Sequence, residues 1–310
     1  MTNSSASLLD ELEALSTLLR MKPVNATFGS LCAPGTRSSV LEFIARWVTS
    51  NDQQTILWIN GTPKIGKSAI TNTIAMHMSV LRRKGSLISF ERSETTLGSA
   101  IQTLAAQLAD SDPFIRAEIC AAIEARPEVV DDNPGKQFEH LILNPLRNVV
   151  AKIVGPILIV IDALEQHGNM IKRRELLSLL SSQFTELPSM FRILVTSRRE
   201  LDIDDVFSRN PRIKTISLDD LELWNCSQDI KTYLTQEMSY IRHVHGLSAN
   251  WPGEETIKKM TRMSGGLFAW ASRLVEFILH SAYPTQSLDH VAHSGQIPQD
   301  PEPQSVRVRI

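Results

Sequence analysis

One eight-residue segment constrains the fold of this chain more than any other. Residues 61–68 read Gly-x-x-x-x-Gly-Lys-Ser and join the apolar run 55–60 to an amphipathic segment with apolar residues at helical spacing. A strand that passes into a helix through a glycine-rich loop directs backbone N–H groups and the positive helix end at a phosphate. The pattern predicts a P-loop for a nucleoside triphosphate, with contacts from Gly61, Thr62, Pro63, Lys64, Ile65, Gly66, Lys67, Ser68 and Ala69.

Individual side chains of this loop have separate predicted roles. The glycines let the main chain approach the phosphates, and Lys67 brings a positive charge to the β- and γ-phosphates. The Ser68 hydroxyl can ligate Mg²⁺. The expected cofactors are therefore ATP, or GTP, together with Mg²⁺.

A carboxylate ends the most hydrophobic run of the chain, residues 156–162. Burying a carboxylate is costly unless it faces a cation or a polar cleft. With a P-loop upstream, Asp162 is the expected second anchor for Mg²⁺, the Walker B position. Glu165 and Gln166 follow on the same turn, and either could address an attacking water.

Two arginines follow the next apolar run, residues 191–197. Arg198 is the candidate sensor of the γ-phosphate, and Arg199 is its immediate competitor. A solvated arginine at the end of a strand is an equal alternative as long as the order of the strands is unknown.

The apolar runs alternate with helical patterns and predict an α/β fold. Near-continuous apolar runs suit parallel strands buried on both faces. We predict a three-layer α/β/α P-loop NTPase with a mostly parallel sheet, followed by a small helical subdomain. The predicted strands are residues 55–59, 86–90, 156–161, 191–196 and 213–217, and a long helical insertion, with its last helix at 137–149, separates the second strand from the third.

The expected domain organisation follows from these patterns. Residues 1–25 form an N-terminal helix and linker, 26–220 the NTPase domain and 221–283 the helical subdomain. Prolines and polar residues dominate residues 284–310 without periodicity, so this segment is expected to be a disordered tail.

Composition limits the partners and the compartment. Lys and Arg total 32 against 34 Asp and Glu, a net charge of −2, so no positive field attracts nucleic acid. Three separated cysteines do not form a disulfide framework, and the most apolar stretch is shorter than the ~20 residues of a membrane span. We expect a cytoplasmic protein with no nucleic-acid or membrane partner.

The ordered motifs resemble a known family. CAPGTRSSVLEFIARW, ILWINGTPKIGKSAI, QFEHLILNPL, LIVIDALEQ, ILVTSRRE and GLFAWASRLVEFI follow one another between residues 26 and 283. This succession resembles the NACHT class of signal-transduction (STAND) P-loop NTPases, particularly fungal nephrocystin-like proteins. The resemblance implies phosphate binding by residues 61–68, magnesium binding by Asp162 and a sensor role for Arg198. It also implies self-association or binding to other signalling proteins.

The chain departs from this family at two places. Gly266 and Leu267 match the start of a helical-domain motif near the adenine in related proteins, but Phe268 stands where GLPL-type relatives have proline. DALEQ replaces the usual DALDE, so Gln166 is an amide where the family has a carboxylate. An amide orients water but does not act as a general base at neutral pH. Hydrolysis is therefore expected to be slow or absent.

Two functional interpretations remain open. The first is an ATPase switch, in which the γ-phosphate biases the angle between the sheet domain and the helical subdomain. The second is a non-hydrolysing nucleotide-binding interaction module or a truncated decoy, because no winged helix, repeat region or effector domain is evident. A small-molecule kinase is less favoured because no arginine-rich lid is visible. ATP is preferred to GTP, since Asp162-Ala163-Leu164-Glu165 lacks the glycine of a D-x-x-G motif and no N-K-x-D segment occurs.

Overall fold

The computed structural model describes residues 29–90, 96–220 and 223–298, together with Leu15 and Leu19. Within these residues the chain forms two compact units. The first holds Leu15, Leu19 and residues 29–31, 40–63 and 67–219, and the second holds residues 32–39, 64–66, 220 and 223–298. The rest of the predicted N-terminal helix and linker lies outside the described residues.

A five-stranded sheet forms the centre of the first unit. Its strands are β1 (Ile56–Asn60), β2 (Lys84–Ser89), β3 (Ile157–Asp162), β4 (Phe191–Ser197) and β5 (Ile213–Ser217). They are ordered β2-β3-β4-β1-β5, and every neighbouring pair is parallel. All residues of β1, β3 and β4 are buried, as expected for strands covered on both faces. The predicted parallel α/β fold is confirmed.

The strand order determines which loops come together. The carboxyl ends of parallel strands meet at one edge of a sheet, and ligands of open α/β sheets bind outside that edge. Strand β4 lies between β1 and β3, with Asn60 paired to Ser197 and Ile161 paired to Val195. The segments that follow β1, β3 and β4 therefore lie side by side.

Eight α-helices lie between residues 29 and 220 in the described part of the chain. They are α1 (Ser38–Thr49), α2 (Lys67–Val80), α3 (Leu97–Ser111), α4 (Pro113–Ala125), α5 (Pro134–Phe138), α6 (Asn144–Val149), α7 (Met170–Ser181) and α8 (Leu201–Ser208). A π-helical turn, Glu139–Leu143, joins α5 to α6, so the predicted helix at 137–149 begins at residue 134 and has an irregular middle. Asn169 caps α7 by accepting from the N–H groups of Ile171 and Lys172 at 3.2 and 3.1 Å.

The second unit is helical. Its helices are α9 (Cys226–Val244), α10 (Glu254–Met263), α11 (Phe268–Leu279) and α12 (Pro284–Ser294). Apolar residues from all four helices form one core, among them Ile230, Met260, Leu274 and Leu288. No helix in the described segments is long and apolar enough to cross a bilayer.

The prediction of disorder from residue 284 onward is wrong for residues 284–294. This segment is helix α12, with Pro284 in its first turn and Gly295 at φ 76° after its end. Leu288 and Val291 are 2% and 0% exposed in the core of the second unit. Two apolar residues in a polar segment give too weak a periodicity for a helix to be read from sequence, and packing against α10 and α11 stabilises it. Residues 299–310 lie outside the described part.

Candidate nucleotide-binding site

The glycine-rich loop adopts the strand-to-helix geometry that its sequence predicts. Strand β1 ends at Asn60, and α2 begins at Lys67. Between them Lys64 has φ 66° and Gly66 has φ 106°, both in the left-handed region. A side chain at Gly66 would be strained by that backbone conformation, so the loop needs glycine there.

Lys67 is a largely buried ammonium group. It is 9% exposed, and its Nζ donates to the carbonyl oxygens of Gly61 at 2.6 Å and Thr62 at 3.0 Å. Burial lowers the pKa of Lys67, while the charges of Glu165 and Asp219 act in the opposite direction. Its hydrogen bonds to protein in this structure are to neutral carbonyl oxygens, so an anionic oxygen would stabilise the cation further.

The loop amide of Thr62 already binds an anionic oxygen. Its N–H donates to Oδ1 of Asp219 at 2.9 Å, and Asp219 follows strand β5. The sequence analysis missed Asp219, although an acidic pair after a short strand is visible in the sequence. The contact shows that an oxyanion fits against this part of the loop.

The turn after β3 holds Asp162 in a buried position. Asp162 is 4% exposed, and its Oδ1 accepts a short hydrogen bond from the Thr196 hydroxyl of β4. The same hydroxyl accepts from the N–H of Ala163 at 3.3 Å. Ala163 has φ 58°, a left-handed conformation that costs a non-glycine residue about 1–3 kcal/mol and that clusters at functional sites.

Glu165 and Arg198 form an ion pair across two neighbouring turns. Arg198 Nε lies 3.3 Å from Glu165 Oε1, and the two side chains are 48% and 6% exposed respectively. Arg199 instead pairs with Asp204 on α8 at 3.1 Å. The Gln166 side chain is exposed on the same turn as Glu165.

The strand order thus groups the predicted polar residues of the first unit at one edge of the sheet. The edge carries the ends of β1, β3 and β4, with Lys67, Ser68, Asp162, Glu165 and Arg198 on the segments that follow them or at their ends. In the second unit, Gly266 has φ 81°, Leu267 is 37% exposed, and the Phe268 ring lies 4.7 Å from the Arg37 guanidinium.

Two further residues of this edge were missed by sequence analysis. Thr196 donates a hydrogen bond to Asp162. In the sequence, Thr196 could have been noticed as a polar residue near the end of an otherwise apolar strand. Arg173 donates to the Glu165 carbonyl at 2.7 Å. Its spacing to the buried Leu176, Leu177 and Leu180 places it on the buried face of α7, a signal present in the sequence.

The residues present fit a magnesium-bound nucleotide. Glu165 Oε2 is buried and has no hydrogen-bond partner among the described residues, which leaves a carboxylate oxygen available at this edge. The Asp162 carboxylate and the Ser68 hydroxyl offer the hard oxygen ligands that Mg²⁺ prefers. The loop amides and Lys67 offer donors for phosphate oxygens.

The fold and the loop together define the class of this protein, the P-loop NTPases. The model for the family "Nephrocystin 3, N-terminal" matches residues 35–198, just over half of the 310 residues. The chain belongs to that family.

One solved structure supports the fold. The Walker-type ATPase PABY2304 of Pyrococcus abyssi aligns with a TM-score of 0.53 at 15% identity, covering 86% of this chain and 74% of that one. PCH-2 of C. elegans aligns at 14% identity with a TM-score of 0.45, covering 91% of this chain and 69% of PCH-2. No curated protein sequence gives a significant match.

Proposed function

We propose that this chain is a Mg-ATP-binding switch of the NACHT type, within the STAND class, with weak hydrolysis. The observation that carries the proposal is the buried Lys67 ammonium, which donates to the Gly61 carbonyl oxygen of the glycine-dependent loop. Burial lowers the pKa of Lys67, and the carboxylates of Glu165 and Asp219 partly offset that decrease. A buried cation of this kind is stabilised by a polyphosphate. The nucleoside triphosphate is therefore the proposed first partner.

Each part of the site has a proposed task. The backbone N–H groups of residues 61–69, other than Pro63, which has none, and the Lys67 ammonium would hold the phosphates. Ser68 and Asp162 would hold Mg²⁺. When bound, Mg²⁺ neutralises charge on the phosphate oxygens. Arg198, held by Glu165, is proposed to respond to the γ-phosphate.

The family resemblance also suggests the domain bounds, the partners and the compartment of the proposed switch. We propose an NTPase domain over residues 26–220 and a helical subdomain that begins at residue 221 and includes α12, which ends at Ser294. Self-association or binding to other signalling proteins in the cytoplasm would transmit the nucleotide state. The net charge of −2 supports partners other than nucleic acid.

A nucleotide titration tests the proposal. We expect Mg-ATP and Mg-ADP to bind the wild type, and Mg-GTP to bind more weakly. Lys67→Ala removes a charge-assisted contact worth about 1.5–3 kcal/mol, so its Kd for Mg-ATP should rise about 10- to 100-fold. Isothermal titration calorimetry measures each Kd.

Lys259→Ala is the matched control, because Lys259 is an exposed lysine of α10 in the second unit. Its Kd should equal that of the wild type. Wild-type protein that binds none of the three nucleotides, or a Lys67→Ala variant that binds Mg-ATP as tightly as the wild type, would contradict the proposal.

A non-hydrolysing nucleotide-binding module is the second candidate, and Gln166 favours it. Gln166 is exposed and bears an amide, while the neighbouring Glu165 is paired with Arg198. Since general-base catalysis contributes about 10²- to 10⁴-fold, Gln166→Glu should raise single-turnover phosphate release by up to that factor. The Kd for Mg-ATP should stay within about threefold, because the change lies outside the phosphate loop.

The two candidates differ in what the wild type does. Slow but measurable phosphate release by wild type supports the switch, and tight binding with no release supports the module. Equal release rates in wild type and Gln166→Glu would show that Gln166 does not limit hydrolysis.

A further inference from the structure

Arg173 is a buried cation whose guanidinium makes four hydrogen bonds. Its side chain is 5% exposed. Nε and Nη2 donate to the two carboxylate oxygens of Asp202, each at 3.0 Å. Nη1 donates to the carbonyl oxygens of Glu165 at 2.7 Å and Gly168 at 3.1 Å. The planar fork of an arginine matches this arrangement, and the point charge of a lysine does not.

The partners of Arg173 belong to two different turns. Glu165 and Gly168 lie on the turn that follows β3, and Asp162 is the last residue of that strand. Asp202 lies in the first turn of α8, directly after the segment that carries Arg198. One guanidinium therefore joins the two segments that present the candidate Walker B and sensor residues.

The direct ion pair between those segments is more exposed to water than the contact through Arg173. The Glu165–Arg198 pair spans 3.3 Å, and the arginine is 48% exposed. Exposed ion pairs are screened by water and contribute little. Glu165 keeps its main chain in place through the buried Arg173, and the segment after Arg198 is fixed through Asp202.

The conformation of the turn after β3 requires such restraint. Ala163 has the left-handed backbone conformation, at φ 58°. A non-glycine residue keeps this conformation only where surrounding contacts hold it in place. Thr196 holds the N–H of Ala163 on one side, and Arg173 holds the carbonyl of Glu165 on the other. A buried ion pair is weak grounds for stability alone, since apolar residues of similar volume often replace such pairs without loss.

We propose that Arg173 is a positioning residue that fixes Glu165 relative to Arg198 and so gives the site its ability to distinguish a triphosphate from a diphosphate. This inference rests on the proposed function. It predicts a specific pattern. Arg173 variants lose preference for the γ-phosphate but keep affinity for the diphosphate.

The test compares Arg173→Lys with wild type in the full chain. The readouts are the Kd values for Mg-ATP and Mg-ADP, and single-turnover phosphate release in the Gln166→Glu background. We expect an unchanged Kd for Mg-ADP, an ATP-to-ADP preference reduced at least about tenfold, and phosphate release reduced about 10- to 100-fold, as for a misplaced catalytic group. In nucleotide-free protein, hydrogen exchange should quicken in residues 163–168 and 198–201.

Two further variants isolate the coupling. Arg147→Lys is the control, because Arg147 pairs with Glu186 at 2.8 Å on the surface and should leave every readout unchanged. Adding Arg173→Lys to Arg198→Ala should cause little further loss of release, because both changes act on one unit.

Folding failure does not prevent the test. The double variant Arg173→Met, Asp202→Leu leaves no buried charge unpaired and is expected to fold. It should show the same loss of γ-phosphate preference as Arg173→Lys.

Equal losses of ATP and ADP affinity, or a lowered melting temperature with the ATP-to-ADP preference intact, would reduce Arg173 to a structural contact and overturn the inference. Failure of the proposed function looks different, because the wild type itself would then bind no nucleotide.

Discussion

At the scale of single residues, buried charge has two distinct uses in the first unit. Arg192 is 2% exposed and donates to the carbonyl oxygen of Asp52 at 2.8 Å, at the amino end of β4. Lys67 and Asp162 are buried at the carboxyl edge, where α/β sheets bind ligands. Burial of a charge therefore does not identify a site by itself, and its position along the strand distinguishes the two cases.

His167 gives a pH-dependent stability at the same scale. It is 8% exposed, and its ring lies 4.6 Å from that of Phe90. Burial lowers the pKa of His167, and the charges of Lys172 and Arg173 lower it further. Below pH ~6.5 the unfolded chain then binds more protons than the folded one, so the free energy of unfolding falls as the pH drops through that value.

His167→Gln should remove this contribution. Urea unfolding at pH 7.5 and pH 5.0 gives the free energy of unfolding at each pH. We expect the difference between the two values to be smaller in the variant than in the wild type. His290→Gln, at an exposed position of α12, should retain the wild-type difference. The account fails if His167→Gln and His290→Gln show the same pH dependence.

At the scale of secondary-structure elements, local patterns predicted the strands well. Residues 191–196 were expected, and β4 is Phe191–Ser197. Strand β2 begins two residues before its predicted start at 86, where the pairing register shifts between Lys84 and Ser86. Apolar runs locate strands because burial on both faces demands them. Their order is a tertiary property, so the pairing of Glu165 with Arg198 could not be read from the sequence.

Irregular helices are harder to predict from local apolar patterns. The π-helical turn between α5 and α6 buries Leu141, Ile142 and Leu143 in succession, which a 3.6-residue period does not produce. On α7, Arg173 has a regular spacing to three buried leucines, but its partners Glu165, Gly168 and Asp202 come from other segments and depend on the tertiary structure. The P-loop was predictable because its backbone chemistry is local. The residues that support it come from distant segments.

At the scale of the whole molecule, each unit has its own hydrophobic core. The core of the first unit spans both ends of its sequence, from Leu15 and Leu19 to Phe207 and Ile213. The core of the second is built from α9 to α12. A substitution at Leu15 or Leu19 should therefore change the stability of the first unit.

Leu19→Ala tests that assignment. Leu19 is fully buried, and removal of a buried leucine side chain costs about 2–5 kcal/mol through lost transfer free energy and the cavity left behind. Urea unfolding should show this loss, and hydrogen exchange should quicken in β3 while α11 exchanges as in the wild type, because α11 belongs to the other core. Leu31→Ala is the control, since Leu31 is 41% exposed and should lose far less. If Leu19→Ala destabilises the protein no more than Leu31→Ala, or quickens exchange equally in both units, Leu19 does not belong to the core of the first unit.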